Sequence, residues 1–271
     1  MNLSSIAFIG GGNMAGALIG GLLRSGWAPG SVLVVEPNAT QREALRSRFG
    51  VQALEAATAL LDDADCVVWA VKPQLFKAAA LPCATHVAGA LQLSVMAGIR
   101  SDAIAQAIGN ERVVRAMPNT PALIGQGMSG LYARPAVSAE ERAAVERLLA
   151  PTGQTLWVAR EEQLDAVTAL SGSGPAYVFY VLEALISAGV DLGLSAAQSR
   201  QLALATLAGA TTLARDADVP PEVLRQRVTS QGGTTQAAIS TLDAADVKAA
   251  FARALQAAHR RAGELGDEFG R

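Results

Sequence analysis

The run "IAFIGGGNMAGALIGGLL", residues 6–23, carries no charge at all. Three readings compete for it: a membrane span, an export signal, or a strand joined to a helix by glycines. Six glycines and an Asn would leave a lipid-facing helix poorly packed, with its side-chain amide stranded in hydrocarbon. Only Met1, Asn2, Leu3 and two serines precede it, so the basic start of an export signal is missing. The third reading places a short strand over "IAFIG", a turn, and a helix over "MAGALIGGLLRSG" whose first amides face an anion. The expectation is a phosphate cradle.

Outward from that loop, 51% apolar content in 271 residues allows a large core, and the net charge of −2, with both signs mixed, argues against a nucleic-acid partner. Cys66 and Cys83 form no CxxC and have no neighbouring His. Neither a disulfide framework nor a metal site is expected, and the expected compartment is the reducing cytoplasm. His86 and His259 are isolated and read as surface or structural residues.

Up to residue 134, strand-like runs alternate with amphipathic ones: "IAFIG", "VLVVE", "CVVWAVKP", "LQLSVMAG" and "RVVRAMPNTP". That alternation predicts an α/β domain with a doubly wound, mainly parallel sheet. "GMSGLYA" and "GQTLWVA" read as added strands, so the sheet domain is expected over residues 1–160. Residues 161–271 read as all helix, with cuts at Gly193, Ser195 and Pro220-Pro221. The helices over 175–190 and 201–214 are apolar nearly all round. Covering them predicts a homodimer that interlocks through the helical domain, the alternative being an alanine-rich monomer core.

The glycine motif is G-x-G-x-x-A, Gly10 to Ala15, of the dinucleotide-binding Rossmann type. Gly10 serves the tight turn, Gly12 admits a pyrophosphate, and Ala15 permits close packing of helix on strand. The next strand ends in Glu36, where an acid would bond the adenosine ribose hydroxyls and favour NADH, while Arg42 and Arg46 just beyond offer the opposite preference. The expected cofactor set is Ile9, Gly10, Gly11, Gly12, Asn13, Met14 and Glu36, with loops after later strands supplying the rest. Those are Ala70, Val71, Lys72 and Pro73, then Ala97 and Gly98, then Asn119, Thr120 and Pro121.

Hydride transfer involving an alcohol needs a group to move the hydroxyl proton. The helical half offers only Lys248 and His259, neither beside a suitable loop. A carbon–nitrogen double bond is different, because its nitrogen can arrive protonated. Two loops look chemical instead: "LSGSGPAY" (170–177), expected just ahead of a helix begun by Pro175, and "VTSQGGTTQAA" (228–238), ahead of another. Each would offer hydroxyls and amides to a small carboxylate.

With "FIGGGNMA", "AVKPQ", "MAGI", "MPNTPA", "GLYA", "DAVTALSGSGPAY" and "RVTSQGGTTQAAI", the chain resembles the pyrroline-5-carboxylate reductase family over nearly its whole length. The resemblance implies reduction of 1-pyrroline-5-carboxylate to L-proline with NADPH or NADH, and a dimer built through the helical domain that is often assembled further into decamers. It implies a substrate carboxylate held by Ser230, Gly232, Gly233, Thr234 and Thr235, with Ser173 approaching the substrate and Thr235 orienting the imine. Gln231 departs from the family's usual Pro, and Ala57 from a usual Asn at the adenosine end. The rival readings are a hydroxyacid dehydrogenase of similar build and a dinucleotide-sensing protein without turnover.

Overall fold

The computed structural model describes residues 3–269. Strand β1 (Ile6–Ile9) runs into α1 (Asn13–Arg24), followed by β2 (Val32–Val35), α2 (Ala39–Phe49), β3 (Gln52–Leu54), β4 (Cys66–Trp69) and α3 (Phe76–Val87). Then come β5 (Leu91–Ser94), α4 (Ser101–Ile108), β6 (Val113–Met117), β7 (Gly127–Ala133), α5 (Ala139–Leu149) and β8 (Gly153–Trp157). One sheet holds all eight strands in the order β3-β2-β1-β4-β5-β6-β7-β8. Every pairing is parallel except β6 with β7. The expected doubly wound sheet is present with one more strand than the sequence suggested: β3 has three residues and buries only Ala53 fully, too short for an apolar run to mark it.

Alternation along β1 divides the core. Ile6 and Phe8 pack with Leu18, Ile19 and Leu22 of α1 and Val145, Leu148 and Leu149 of α5 on one face. Ala7 and Ile9 pack with Phe76, Ala80 and Cys83 of α3 and Ile104 and Ile108 of α4 on the other. Successive side chains point to opposite faces, so a strand apolar throughout must be covered twice. Burial pushes the thiols of Cys66 and Cys83 up to about 12 and about 11, which keeps both protonated. Trp69 Nε1 donates to Gln92 Oε1 at 2.8 Å, and Gln92 Nε2 donates to the carbonyls of Val87 and Ala90, so the buried amide is satisfied at both ends.

An ion cluster lies where β6 faces the segment after β8. Arg115, on β6, is buried and donates from Nη1 to Glu161 Oε1 at 2.7 Å. The same carboxylate accepts from the Ser101 amide at 2.7 Å and from the Ser101 hydroxyl, closing the start of α4, whose preceding Arg100 supplies no side-chain cap. Arg100 forms a two-pronged pair with Asp165, at 3.2 and 2.8 Å. Burial pulls the Arg115 guanidinium below its ordinary value and Glu161 opposes this.

Helix α6 (Gln163–Val167), a π turn over Thr168–Gly172, and α7 (Gly174–Asp191) follow in succession. They are followed by α8 (Ala196–Asp216), α9 (Pro221–Arg227), α10 (Thr234–Ala244) and α11 (Val247–Phe269). The stretch 234–266, read as one helical run, is broken at Ala245–Asp246, where Asp246 takes a φ of 53°.

By compactness the chain forms two units: Met1–Pro175 with Ala257–Arg271, and Ala176–Gln256. Strands end at Trp157, but α6 and the π turn belong with the sheet, as does the end of α11, where a side chain on Gly98 would come within 3.1 Å of the Leu265 carbonyl. In the second unit, Ser195 and Gln198 form a reciprocal cap on α8, and α7 approaches α8 so closely that a Cβ on Gly189 would lie 2.6 Å from Ser199 Oγ. Val178, Phe179 and Tyr180 of α7 are at least half exposed.

Glu161→Ala is expected to destabilise the protein by about 3–5 kcal/mol, because it strands a buried guanidinium and uncaps α4. A lower urea midpoint with an unchanged slope checks this.

Candidate dinucleotide and substrate sites

Strands β1, β2 and β4 finish level: Ile9 is paired with Val35 on one side and Trp69 on the other. The next residues, Gly10, Glu36 and Ala70, therefore stand side by side above the sheet. Gly10 N donates to Val35 O and Ala70 N to Ile9 O, both at 2.9 Å. Gly10 has a φ of 97°, and a Cβ there would lie 2.7 Å from the Ala70 carbonyl, so only glycine fits. Gly12, which precedes α1, is the opposite case: no atom lies within 4 Å of the place its Cβ would occupy. Beyond it the amides of Asn13, Met14 and Ala15 occupy the first turn, where a helix has no acceptors of its own. The first intrahelical bond is Gly16 N to Gly12 O.

A cleft of about 1100 Å³ opens over this edge. Of the expected cofactor residues, Ile9, Gly10, Gly11, Gly12, Glu36, Ala70, Val71 and Lys72 line it. Asn13 and Met14 form the exposed first turn of α1, and Pro73 begins a short 3-10 turn; none of the three is in the lining. Ala57 lines the cleft as well, where an Asn was expected from the resemblance. Pro37, Asn38, Gln41 and Glu55 are lining residues that sequence reading missed. Position just after Glu36 was the available signal for the first three; for Glu55, only the overlooked β3 would have provided one.

The remaining loops lie outside the cleft lining. Ala97 and Gly98 follow β5, and Gly98 (φ 76°) sits against the last helix. Asn119 is structural in its contacts: Oδ1 accepts from Met128 N at 2.9 Å, and Nδ2 donates to the carbonyl and hydroxyl of Ser171 at 3.3 and 3.2 Å. Thr120 and Pro121 open the 3-10 turn after it. A Cβ on Gly172 would come 2.8 Å from Met117 Cε, so glycine lets the π turn approach the end of β6. Two motifs about fifty residues apart in sequence, "MPNTPA" and "LSGSGPAY", are thereby brought together.

The "LSGSGPAY" segment is not the helix start that its serines and glycines suggested. Pro175 lies inside α7, and the Ser173 amide donates to the Thr168 carbonyl at 2.8 Å, five residues back. The π turn absorbs the amides that were expected to face an anion, and π turns of this kind recur at functional sites. Ser173 itself is half-buried.

The other loop is a helix start. Gly232 has a φ of 73°, Gly233 is the cap residue of α10, and its amide donates to the Ser230 carbonyl at 3.1 Å. A Cβ on Gly233 would meet Ser230 Oγ at 2.5 Å. Thr234 and Thr235 are the first two helical residues, and the Gln236 side chain reaches back to the Gly232 amide. Thr234 is exposed and Thr235 half-buried. The amides of the first turn and the two threonine hydroxyls form an anion receptor without a cation.

Residues 161–265 match the pyrroline-5-carboxylate reductase dimerisation family, and residues 5–98 match a family described as NADP oxidoreductase, coenzyme F420-dependent. The pyrroline-5-carboxylate reductase of Pseudomonas aeruginosa is 43% identical over 272 residues, spanning all of both chains. That of Corynebacterium melassecola is 39% identical, covering 97% of this chain and 99% of its own. Among solved structures, the enzyme of Coxiella burnetii aligns with a TM-score of 0.90 at 35% identity, covering 97% of this chain and 99% of that one. The Plasmodium falciparum pyrroline carboxylate reductase with NADP bound aligns at 0.87 and 27% identity, covering 98% and 99%. With relatives this similar along its whole length, the chain belongs to the pyrroline-5-carboxylate reductase family.

Proposed function

We infer that this protein reduces 1-pyrroline-5-carboxylate to L-proline with NADPH or NADH. The observation that carries the reading is the level ending of β1, β2 and β4 under a glycine turn with open space at Gly12, joined in one chain to a family-matched helical region bearing a second anion receptor. The cleft fits a dinucleotide: the α1 amides would hold its pyrophosphate, and Glu36 would take the adenosine ribose hydroxyls. The reduced nicotinamide, when bound, supplies a hydride for the imine carbon; with one proton this turns the C=N bond into the C–N bond of proline.

The protein's own part is binding and orientation. Ser230, Gly232, Gly233 and Thr234 hold the substrate carboxylate at the positive end of α10, where no arginine is needed. Thr235 donates or accepts a hydrogen bond at the ring nitrogen and so fixes which face of the imine meets the hydride. An alcohol group is far too weak an acid to protonate the imine unaided, so the substrate enters as the iminium or takes its proton from water. Ser173, held in the π turn, is assigned to the same substrate.

The helical region 161–271 forms a homodimer whose partner covers the exposed apolar side chains of α7, and dimers combine into a larger assembly such as a decamer. The reading involves no nucleic acid, membrane or metal, and places the enzyme in the cytoplasm, in keeping with two buried, protonated thiols.

Thr235→Ala is expected to lower kcat by about 10²-fold while leaving dinucleotide affinity nearly unchanged; equal loss of both would contradict the role given to Thr235. Gly12→Val, which fills the open space before α1, should weaken dinucleotide binding by about 10- to 100-fold with the fold retained, as titration of cofactor fluorescence would show. Sedimentation is expected to return an even multiple of the 27.8 kDa chain, and a monomer would refute the dimer.

A further inference from the structure

The adenosine end of the cleft has a fixed charge pattern, and it bears on the cofactor the enzyme takes. Glu36 Oε2 accepts from the Gly11 amide and Oε1 accepts from the Asn38 amide, both at 2.9 Å. Two backbone donors on separate loops thus anchor the carboxylate, and a carboxylate has about four acceptor positions in all, so each oxygen keeps one for a ligand hydroxyl. Rotating the side chain away would break both bonds and leave two amides unpaired.

The two arginines that could answer a phosphate are committed elsewhere. Arg42 is mostly buried, with 13% of its side chain exposed; its Nη1 donates to the carbonyls of Glu36 and Pro37 at 2.9 and 2.7 Å, and its Nη2 pairs with Glu55 at 3.0 Å. Arg46 Nη2 donates to the Ala53 carbonyl, and its Nη1 lies 4.0 Å from Glu43. Glu55 adds a second carboxylate to the lining. Among the described lining residues Lys72 is the only cation, and it follows β4, on the far side of β1 from Glu36. Two strand spacings, about 10 Å, separate those strand ends.

We propose that Glu36, locked by the amides of Gly11 and Asn38 with Arg42 and Arg46 turned to the backbone, makes this enzyme select NADH over NADPH. The unphosphorylated ribose offers hydroxyl donors to the free acceptor positions. A 2′-phosphate would instead be held against a carboxylate that cannot move aside and has no cation beside it. The inference rests on the reductase reading only in requiring that a reduced dinucleotide occupies the cleft.

The test is equilibrium binding of NADH and NADPH to the full-length, substrate-free enzyme, followed by the fluorescence of the bound reduced nicotinamide, with kcat/KM measured for both. NADH is expected to bind at least about tenfold more tightly, and the ratio should shrink as ionic strength rises, because like-charge repulsion is screened. Glu36→Gln is expected to reduce the ratio by about tenfold, chiefly by tightening NADPH, whereas Glu36→Asp, which keeps the charge, should retain discrimination. Equal or tighter binding of NADPH by the natural enzyme overturns the proposal, and this holds even if a variant fails to fold. Absence of binding by either dinucleotide overturns it together with the reductase reading. The expected ratio without proline formation supports the assignment of Glu36 and refutes the reductase reading alone.

Discussion

The parallel pairing of β1 between β2 and β4, in a register that ends all three strands at one level, is the constraint from which the rest of the cofactor domain follows. Gly10, Glu36 and Ala70 become neighbours because Ile9, Val35 and Trp69 are. The turn at Gly10 can then be closed by two backbone hydrogen bonds, and the first amides of α1 are left pointing past an open Gly12. A one-residue slip of β2 would exchange its buried faces and move Glu36 away from the amide of Gly11. Core packing on both faces of the sheet is what forbids that slip, so the geometry at the ligand edge is held by residues with no chemistry of their own.

Polar groups within this architecture are placed where the backbone needs partners. Glu161 closes α4 and neutralises Arg115; Asn119 joins the end of β6, the start of β7 and the π turn; Glu36 bridges the glycine loop and the approach to α2. In each case one side chain satisfies donors from two segments distant in sequence. That makes these residues costly to replace and fixes the loops between them.

Much of this was legible in the chain. Strand, glycines and helix in immediate succession announce the cradle, because only one conformation suits "IAFIGGGNMA", and the acid after "VLVV" follows from strand length. The parallel sheet was legible from alternation of apolar runs, and the second unit from the absence of further strands. The three-residue β3 was not, since Ala53 alone cannot mark a strand. "LSGSGPAY" misled for a physical reason: serine and glycine before proline usually start a helix, but a π turn can take up their amides without ending one, and local composition does not reveal a bond from residue 173 to residue 168. Likewise, nothing around Arg115 in the sequence points to Glu161, 46 positions later. The commitment of Arg42 and Arg46 to carbonyl groups became visible only when the loop between β2 and β3 had a shape.

The sheet unit takes its last piece from the chain's end, with Ala257 onward packed beside Gly98 and Arg100. An N-terminal domain ordinarily folds while its successor is still being made. Here the first-begun unit stays unfinished through the synthesis of everything between residues 176 and 256, and it is sealed only as the ribosome releases the polypeptide. Chain order and folding order are in this way uncoupled, and the tail acts as the clasp.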